Sequence, residues 1–161
     1  MEAMRVKKNR KLLLICIAIP LGVGALSAWL TRGSMQTFEM VQKPPLSPPG
    51  WLFPVVWTIL YILMGIASWL VLTSDTSPER IRRAMIPYVI QLVFNFFWSI
   101  LFFNLERYLL AFFWLVGLWI LILVTTVRFS LIRSLAGDLM LPYLLWVTFA
   151  GYLNYGIFLL N

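Results

Sequence analysis

The spacing of charges constrains this 161-residue chain more than any other feature. Its thirteen Lys and Arg and six Asp and Glu residues all fall between five charge-free runs: Leu12 to Leu30, Trp51 to Ser74, Ala84 to Leu105, Tyr108 to Val127 and Leu139 to Asn161. Each run is near the roughly 20 residues that a helix rising about 1.5 Å per residue needs to cross about 30 Å of hydrocarbon. Backbone polar groups in lipid must pair within the chain, so only helices or closed barrels can span; barrel strands would be about half as long and alternately polar. The runs therefore predict an all-α membrane protein, a five-transmembrane-helix bundle in a single integral membrane domain. Its spans lie at about 12–30, 51–73, 84–104, 108–127 and 139–160, with a proline-rich outer loop over 31–50. With 61% hydrophobic and 12% charged residues, the chain lacks the polar material to cover a globule, and the lipid bilayer is its expected partner.

Orientation follows from the basic residues of the connecting segments. The N-terminal tail (Arg5, Lys7, Lys8, Arg10, Lys11), the second loop (Arg80, Arg82, Arg83) and the fourth (Arg128, Arg133) carry ten, whereas the other side carries Arg32, Lys43 and Arg107. This asymmetry predicts a cytoplasmic N-terminus and an outer C-terminus. It also accounts for the net charge of +7 without a nucleic acid partner, since no basic stripe combines with base-stacking aromatics in a soluble region. The first run is longer than the roughly 7–15 residues of a signal-peptide core, so it is expected to stay as a span. The single cysteine, Cys16, lies within it and rules out an intramolecular disulfide.

The loops are unequal. Asn104 to Tyr108 is a bare turn that forces the third and fourth spans to pack side by side. The outer loop ends in Gln42-Lys43-Pro44-Pro45-Leu46-Ser47-Pro48-Pro49-Gly50, whose prolines fix φ and predict a stiff extended segment. That segment reads either as a spacer starting the second helix or as a lid, with Lys43, Pro44, Pro48 and Pro49 over a cavity mouth. Pro54, Pro87 and Pro142 are expected near helix starts, while Pro20, followed by Gly22 and Gly24, predicts a kink in the first helix. Gly24 and Ala28 form one small-xxx-small pair, a packing signal.

The chain has no histidine, and no span contains an ionisable carboxylate or amine. That removes the commonest general base and metal ligand, and the charges that proton-coupled carriers and ion-selective channels ordinarily place at membrane depth. No metal site and no ordinary acid–base catalytic set is expected. Aromatic and amide chemistry remains, with 16% Phe, Trp and Tyr. At 3.6 residues per turn, Trp57, Tyr61, Gly65 and Ser68 share one face of the second helix, and Gln91, Asn95, Trp98 and Phe102 one face of the third. Trp146, Ala150, Leu153 and Asn154 share one of the fifth. Such stripes suit two roles, interhelical packing with hydrogen bonds or the lining of an apolar pocket with a few oriented polar groups.

Several of these residues stand in a recognisable order. Gln42-Lys43-Pro44, Pro48-Pro49, Phe53, Val56-Trp57 and Leu60-Tyr61 are followed by Gln91-Leu92, Asn95, Trp98-Ser99 and Phe102-Phe103. Pro142-Tyr143, Trp146 and Leu153-Asn154-Tyr155 complete the series. The set resembles the signature of the tryptophan-rich sensory protein family, TspO, also called translocator protein or peripheral benzodiazepine receptor. The resemblance implies a five-helix bundle, usually a homodimer, in the bacterial inner (cytoplasmic) membrane. It implies no obligatory cofactor but a ligand, protoporphyrin IX or a related tetrapyrrole, with isoquinoline and benzodiazepine-type drugs as others. The implied pocket opens under the first loop and takes in Trp57, Tyr61, Asn95, Trp98, Trp146, Ala150 and Leu153. A flat apolar macrocycle stacking on indoles suits such a lining.

Departures from the family pattern narrow the expectation. Thr37-Phe38 replaces a common Trp-Tyr ahead of the loop's Lys-Pro, and Leu46 replaces a Trp between the prolines. Some bacterial members degrade protoporphyrin in light with tryptophans at the positions of Thr37 and Trp146, so Thr37 argues against that activity. Trp114 stands where an acidic residue is frequent. Only Gly156 to Asn161 follow Tyr155, so the Lys or Arg of the cholesterol-recognition pattern is missing. Ile86 and Ile90 replace small residues that pair the third helix in some dimers. The leading expectation is a membrane receptor or carrier for a planar hydrophobic ligand. The alternatives are a light- or oxygen-dependent porphyrin-degrading enzyme and a structural scaffold.

Overall fold

The computed structural model describes the backbone of residues 2–161 and the side chains of residues 9–161. Arg5, Lys7 and Lys8, counted above for orientation, have side chains outside that described set. The architecture is all helical: α1 (Glu2–Thr31), α2 (Met35–Met40), α3 (Leu52–Leu72), α4 (Pro78–Ser99), α5 (Tyr108–Ile132), α6 (Ser134–Asp138) and α7 (Leu141–Leu160). Five helical segments are long and apolar enough to cross a membrane, built around α1, α3, α4, α5 and α7.

The helices outrun the charge-free runs. The first helix starts at Glu2 rather than near 12, the third span at Pro78 rather than 84, and the fourth reaches Ile132 rather than 127. Hydrocarbon thickness sets the apolar length, but a helix needs no apolar residues to continue into the interface. At α4 the start is written locally. The Ser77 hydroxyl accepts from the Arg80 N–H at 3.4 Å, Pro78 occupies the first turn, and Glu79 beside it pairs with Arg82 and Arg83. Pro87 consequently lies well inside α4, correcting its placement at a helix start, whereas Pro142 does sit in the first turn of α7. The outer segment 31–50 also differs from expectation: a 3-10 turn (Arg32–Ser34) and α2 occupy its first half, and only the part beyond Met40 is irregular.

Close packing of α1 on α3 depends on two glycines. A Cβ at Gly65 would lie 2.5 Å from the Ile17 Cα and 2.7 Å from the Cys16 carbonyl oxygen. Pro20 has no N–H for that carbonyl, so α3 approaches α1 on the turn that the proline leaves open. α1 is helical throughout Pro20. About two helical turns beyond Ile17 along α1, Gly24 faces the ring of Tyr61, which a side chain there would overlap. The short turn at Glu106, with φ of 51°, folds α5 back on α4 as expected. Phe94 and Trp114 then stack at 4.3 Å, and the Trp114 indole donates to the Phe94 carbonyl at 2.8 Å. α7 packs on α5 and stands off from α3.

Candidate ligand cavity

The stand-off between α3 and α7 opens a cavity of about 640 Å³ beneath the proline-rich segment. On the α3 wall, Trp57 stacks on Tyr61 with centroids 5.5 Å apart and meets the edge of Tyr143 at 6.0 Å. On the α4 wall, Trp98 stacks on Phe102 at 5.3 Å. Its indole N–H donates to the Asn154 side-chain oxygen at 3.1 Å, and the Asn154 amide donates to the Tyr108 carbonyl at 2.8 Å. Ala150 and Leu153 of α7 face the same space. Beyond Ser99 the helix widens into a π segment, Ile100–Asn104, closed by the Leu105 N–H on the Ile100 carbonyl at 3.1 Å. Both Phe102 and Phe103 reach the cavity from it.

Asn95 and Trp146 do not line this cavity. Asn95 is 1% exposed and belongs to a polar cluster behind the wall. Its amide donates to the Tyr143 hydroxyl at 3.1 Å, and that hydroxyl donates to the Gln91 side-chain oxygen at 2.8 Å. Trp146 packs edge-on to Phe53 at 5.9 Å and tilts against Phe149 at 5.7 Å; its indole nitrogen is buried without a hydrogen-bond partner among the described residues. Thr37 is exposed and also outside the wall.

The loop residues divide in the same way. Lys43 and Pro48 line the cavity, while Pro44 is buried against α7 where a Cβ at Gly156 would come within 2.6 Å of its ring. Pro49 is exposed, and its carbonyl accepts from the Leu52 N–H at 3.0 Å to start α3. The segment is fastened to α7. Asn161 donates to the Gln42 carbonyl at 3.0 Å and accepts from the Gln42 N–H at 3.1 Å, and the Tyr152 hydroxyl donates to the Pro45 carbonyl at 2.8 Å.

A wall absent from the sequence reading comes from α1. Leu21, Gly24, Ala25 and Ala28 line the cavity, as does Phe38 of α2, which sits edge-on to Phe103 at 5.2 Å. The small residues at 24, 25 and 28 were the available signal, since their lack of bulk leaves room for a guest as readily as for a neighbouring helix. Among the described residues no three His, Cys, Asp or Glu side chains gather as a metal set.

Comparison with known proteins bears on this geometry. The TspO/MBR family pattern matches residues 16–160, nearly the whole chain. The chain belongs to the TspO/MBR family. It is 39% identical over 150 residues to the tryptophan-rich protein TspO of Chlorobaculum tepidum, covering 92% of this chain and 95% of that one. It is 36% identical to the protein CrtK of Rhodobacter capsulatus over 138 residues, 86% of this chain and 85% of that one. Similarity extends to the translocator protein of Bos taurus, at 32% over 136 residues, 82% of this chain and 79% of that one. The five-helix membrane architecture of this TspO/MBR member thus agrees with both its hydropathy and its relatives.

Proposed function

We propose that this TspO/MBR protein is a membrane receptor or carrier that holds a planar hydrophobic ligand, a porphyrin or related tetrapyrrole, in the cavity beneath the proline-rich segment. The supporting observation is the cavity itself. About 640 Å³ falls within the roughly 300–1,000 Å³ typical of small-molecule sites, and Trp57, Tyr61, Trp98 and Phe102 bring ring faces and edges to one space. Flat conjugated ligands stack on such rings, and desolvation of both surfaces drives entry. Isoquinoline and benzodiazepine-type drugs are smaller planar guests for the same walls.

The proposal includes a topology. Ten basic residues on the N-terminal side against three on the other put the N-terminus in the cytoplasm of a cell whose inner membrane holds the protein. The mouth then opens outward, on the side of Asn161. We also read the active unit as a homodimer.

Titration of protoporphyrin IX into the protein in non-ionic detergent, followed by Trp fluorescence, tests the ligand reading. Saturable quenching is expected, with affinity at least tenfold weaker for Trp57→Ala. Linear, non-saturating quenching for the wild type, or equal affinity for the variant, would sink the cavity assignment.

A further inference from the structure

Most neutral polar side chains on the cavity wall are engaged by the protein itself. Thr31 donates to the Ser27 carbonyl at 3.0 Å, Ser47 to the Pro44 carbonyl at 2.7 Å and Thr58 to the Pro54 carbonyl at 2.7 Å. Asn154 is used twice, by Trp98 and by the Tyr108 carbonyl. Two cations, Arg32 and Lys43, also line the cavity, and no Asp or Glu among the described residues does. The ion pairs among the described residues are made by Glu79, at the opposite end of α4 from Trp98.

Both cations are held over rings. The Arg32 guanidinium carbon lies 5.3 Å from the centre of the Trp29 ring, and the Lys43 ammonium lies 4.8 Å from that of Phe38. A ring face positions a cation without consuming its N–H donors. A guanidinium has five donors and an ammonium three. Among the described residues these two side chains make one hydrogen bond, from Lys43 to the Glu39 carbonyl at 3.2 Å. The mouth of an otherwise apolar cavity therefore carries positive charge and spare donors, with no carboxylate partner among the described residues.

From this arrangement we infer that the cavity selects apolar acids: the apolar body lies among the rings, and its carboxylates meet Arg32 and Lys43 at the mouth. The inference rests on the ligand-cavity reading above and adds the charge of the ligand to it. Charge-assisted hydrogen bonds to a carboxylate are about twice as strong as neutral ones, and a neutral ester of the same body cannot make them equally. Arg32 and Lys43 are thus specificity residues, separating acids from neutral molecules of the same shape.

The test compares protoporphyrin IX with its dimethyl ester, using the full chain in non-ionic detergent and the double variant Arg32→Gln, Lys43→Gln. The ester-to-acid ratio of Kd is expected to fall about tenfold in the double variant, since two partly exposed charge contacts are lost. Comparing ratios between proteins cancels the unequal partition of acid and ester into micelles. Lys43→Arg, which keeps the charge, should retain the preference. An unchanged ratio in the double variant overturns the inference. So does a preference abolished by phosphatidylglycerol in the micelles, which would assign the cations to lipid headgroups.

Pyrenebutyric acid and its methyl ester, run in the same way, separate this inference from the tetrapyrrole reading. Saturable, Arg32- and Lys43-dependent binding of pyrenebutyrate without protoporphyrin binding removes the tetrapyrrole and keeps the acid selectivity. Absence of the dependence in both pairs removes the selectivity, whichever body binds.

Discussion

Trp98 and Asn154 join α4 to α7 through an indole N–H donated to a side-chain oxygen at 3.1 Å, on the wall of the cavity. The Asn154 amide is in turn anchored on the first residue of α5. One side chain thus orients an indole and ties three spans together. Asn154→Leu leaves the indole without its acceptor and the Tyr108 carbonyl without that donor. Interhelical hydrogen bonds in membranes are worth about 0.6–2 kcal/mol each, so a loss of about 1–3 kcal/mol is expected. Thermal unfolding in detergent should show it, with weaker protoporphyrin quenching well below the melting range. A variant as stable as wild type would mean that the Trp98 indole finds another partner.

Behind the cavity, Tyr143 links Asn95 and Gln91, all three at most 1% exposed. Tyr143→Phe keeps the ring but removes an acceptor and a donor at once. Buried amides deprived of partners cost about 1–3 kcal/mol, so the variant should unfold earlier in heat or denaturant. Its cavity lining is unaltered, and ligand affinity should change far less than stability. A large affinity loss with unchanged stability would contradict the placement of this cluster behind the wall.

Glycine substitutions should differ sharply by position. Gly65→Ala sets a methyl group 2.5 Å from α1 backbone, which cannot yield without separating two spans. Overpacking of that kind costs about 1–3 kcal/mol or more. Gly22→Ala meets nothing within 4 Å and should be neutral or mildly stabilising. Parallel melting curves of the two variants check the contrast, and equal effects would refute the close approach at Gly65.

Asn161 holds Gln42 by both its N–H and its carbonyl, so the segment over the cavity is latched to the residue that caps the end of α7. Asn161→Ala should free the latch while leaving the spans packed. Stopped-flow release of protoporphyrin is expected to quicken about three- to tenfold, as loss of one or two exposed hydrogen bonds implies, with little shift in melting temperature. Identical release rates would show that Pro44 against Gly156 and Tyr152 on Pro45 suffice to hold the segment.

Which residues meet in the cavity was partly legible from helical periodicity. Trp57 and Tyr61 on α3, and Ala150 and Leu153 on α7, share faces in sequence and line one space in the structure. The same periodicity placed Asn95 beside Trp98 and Trp146 beside Ala150, but the members of those pairs take different positions. A helical stripe spans a wide arc, and a neighbouring helix can cover one edge of it while the other stays open. The α1 wall escaped the sequence reading because Gly24, Ala25 and Ala28 are defined by missing bulk, which looks alike in front of a cavity and in a tight helix contact.

The chain's sequence by itself determined the helical class and the five spans, because lipid forces backbone groups to pair within each segment and charge cannot be left in hydrocarbon. The charge-free runs marked the membrane-embedded cores, and the helices continued past them wherever water and headgroups allowed. Only the tertiary structure decided where space was left. α7 packs on α5 and stands off from α3, Gly65 and Gly24 draw α1 up to α3, and the segment from Gln42 to Pro45 is tied to α7. Those distances depend on interlocking side chains from several helices at once, which no single helix's pattern contains.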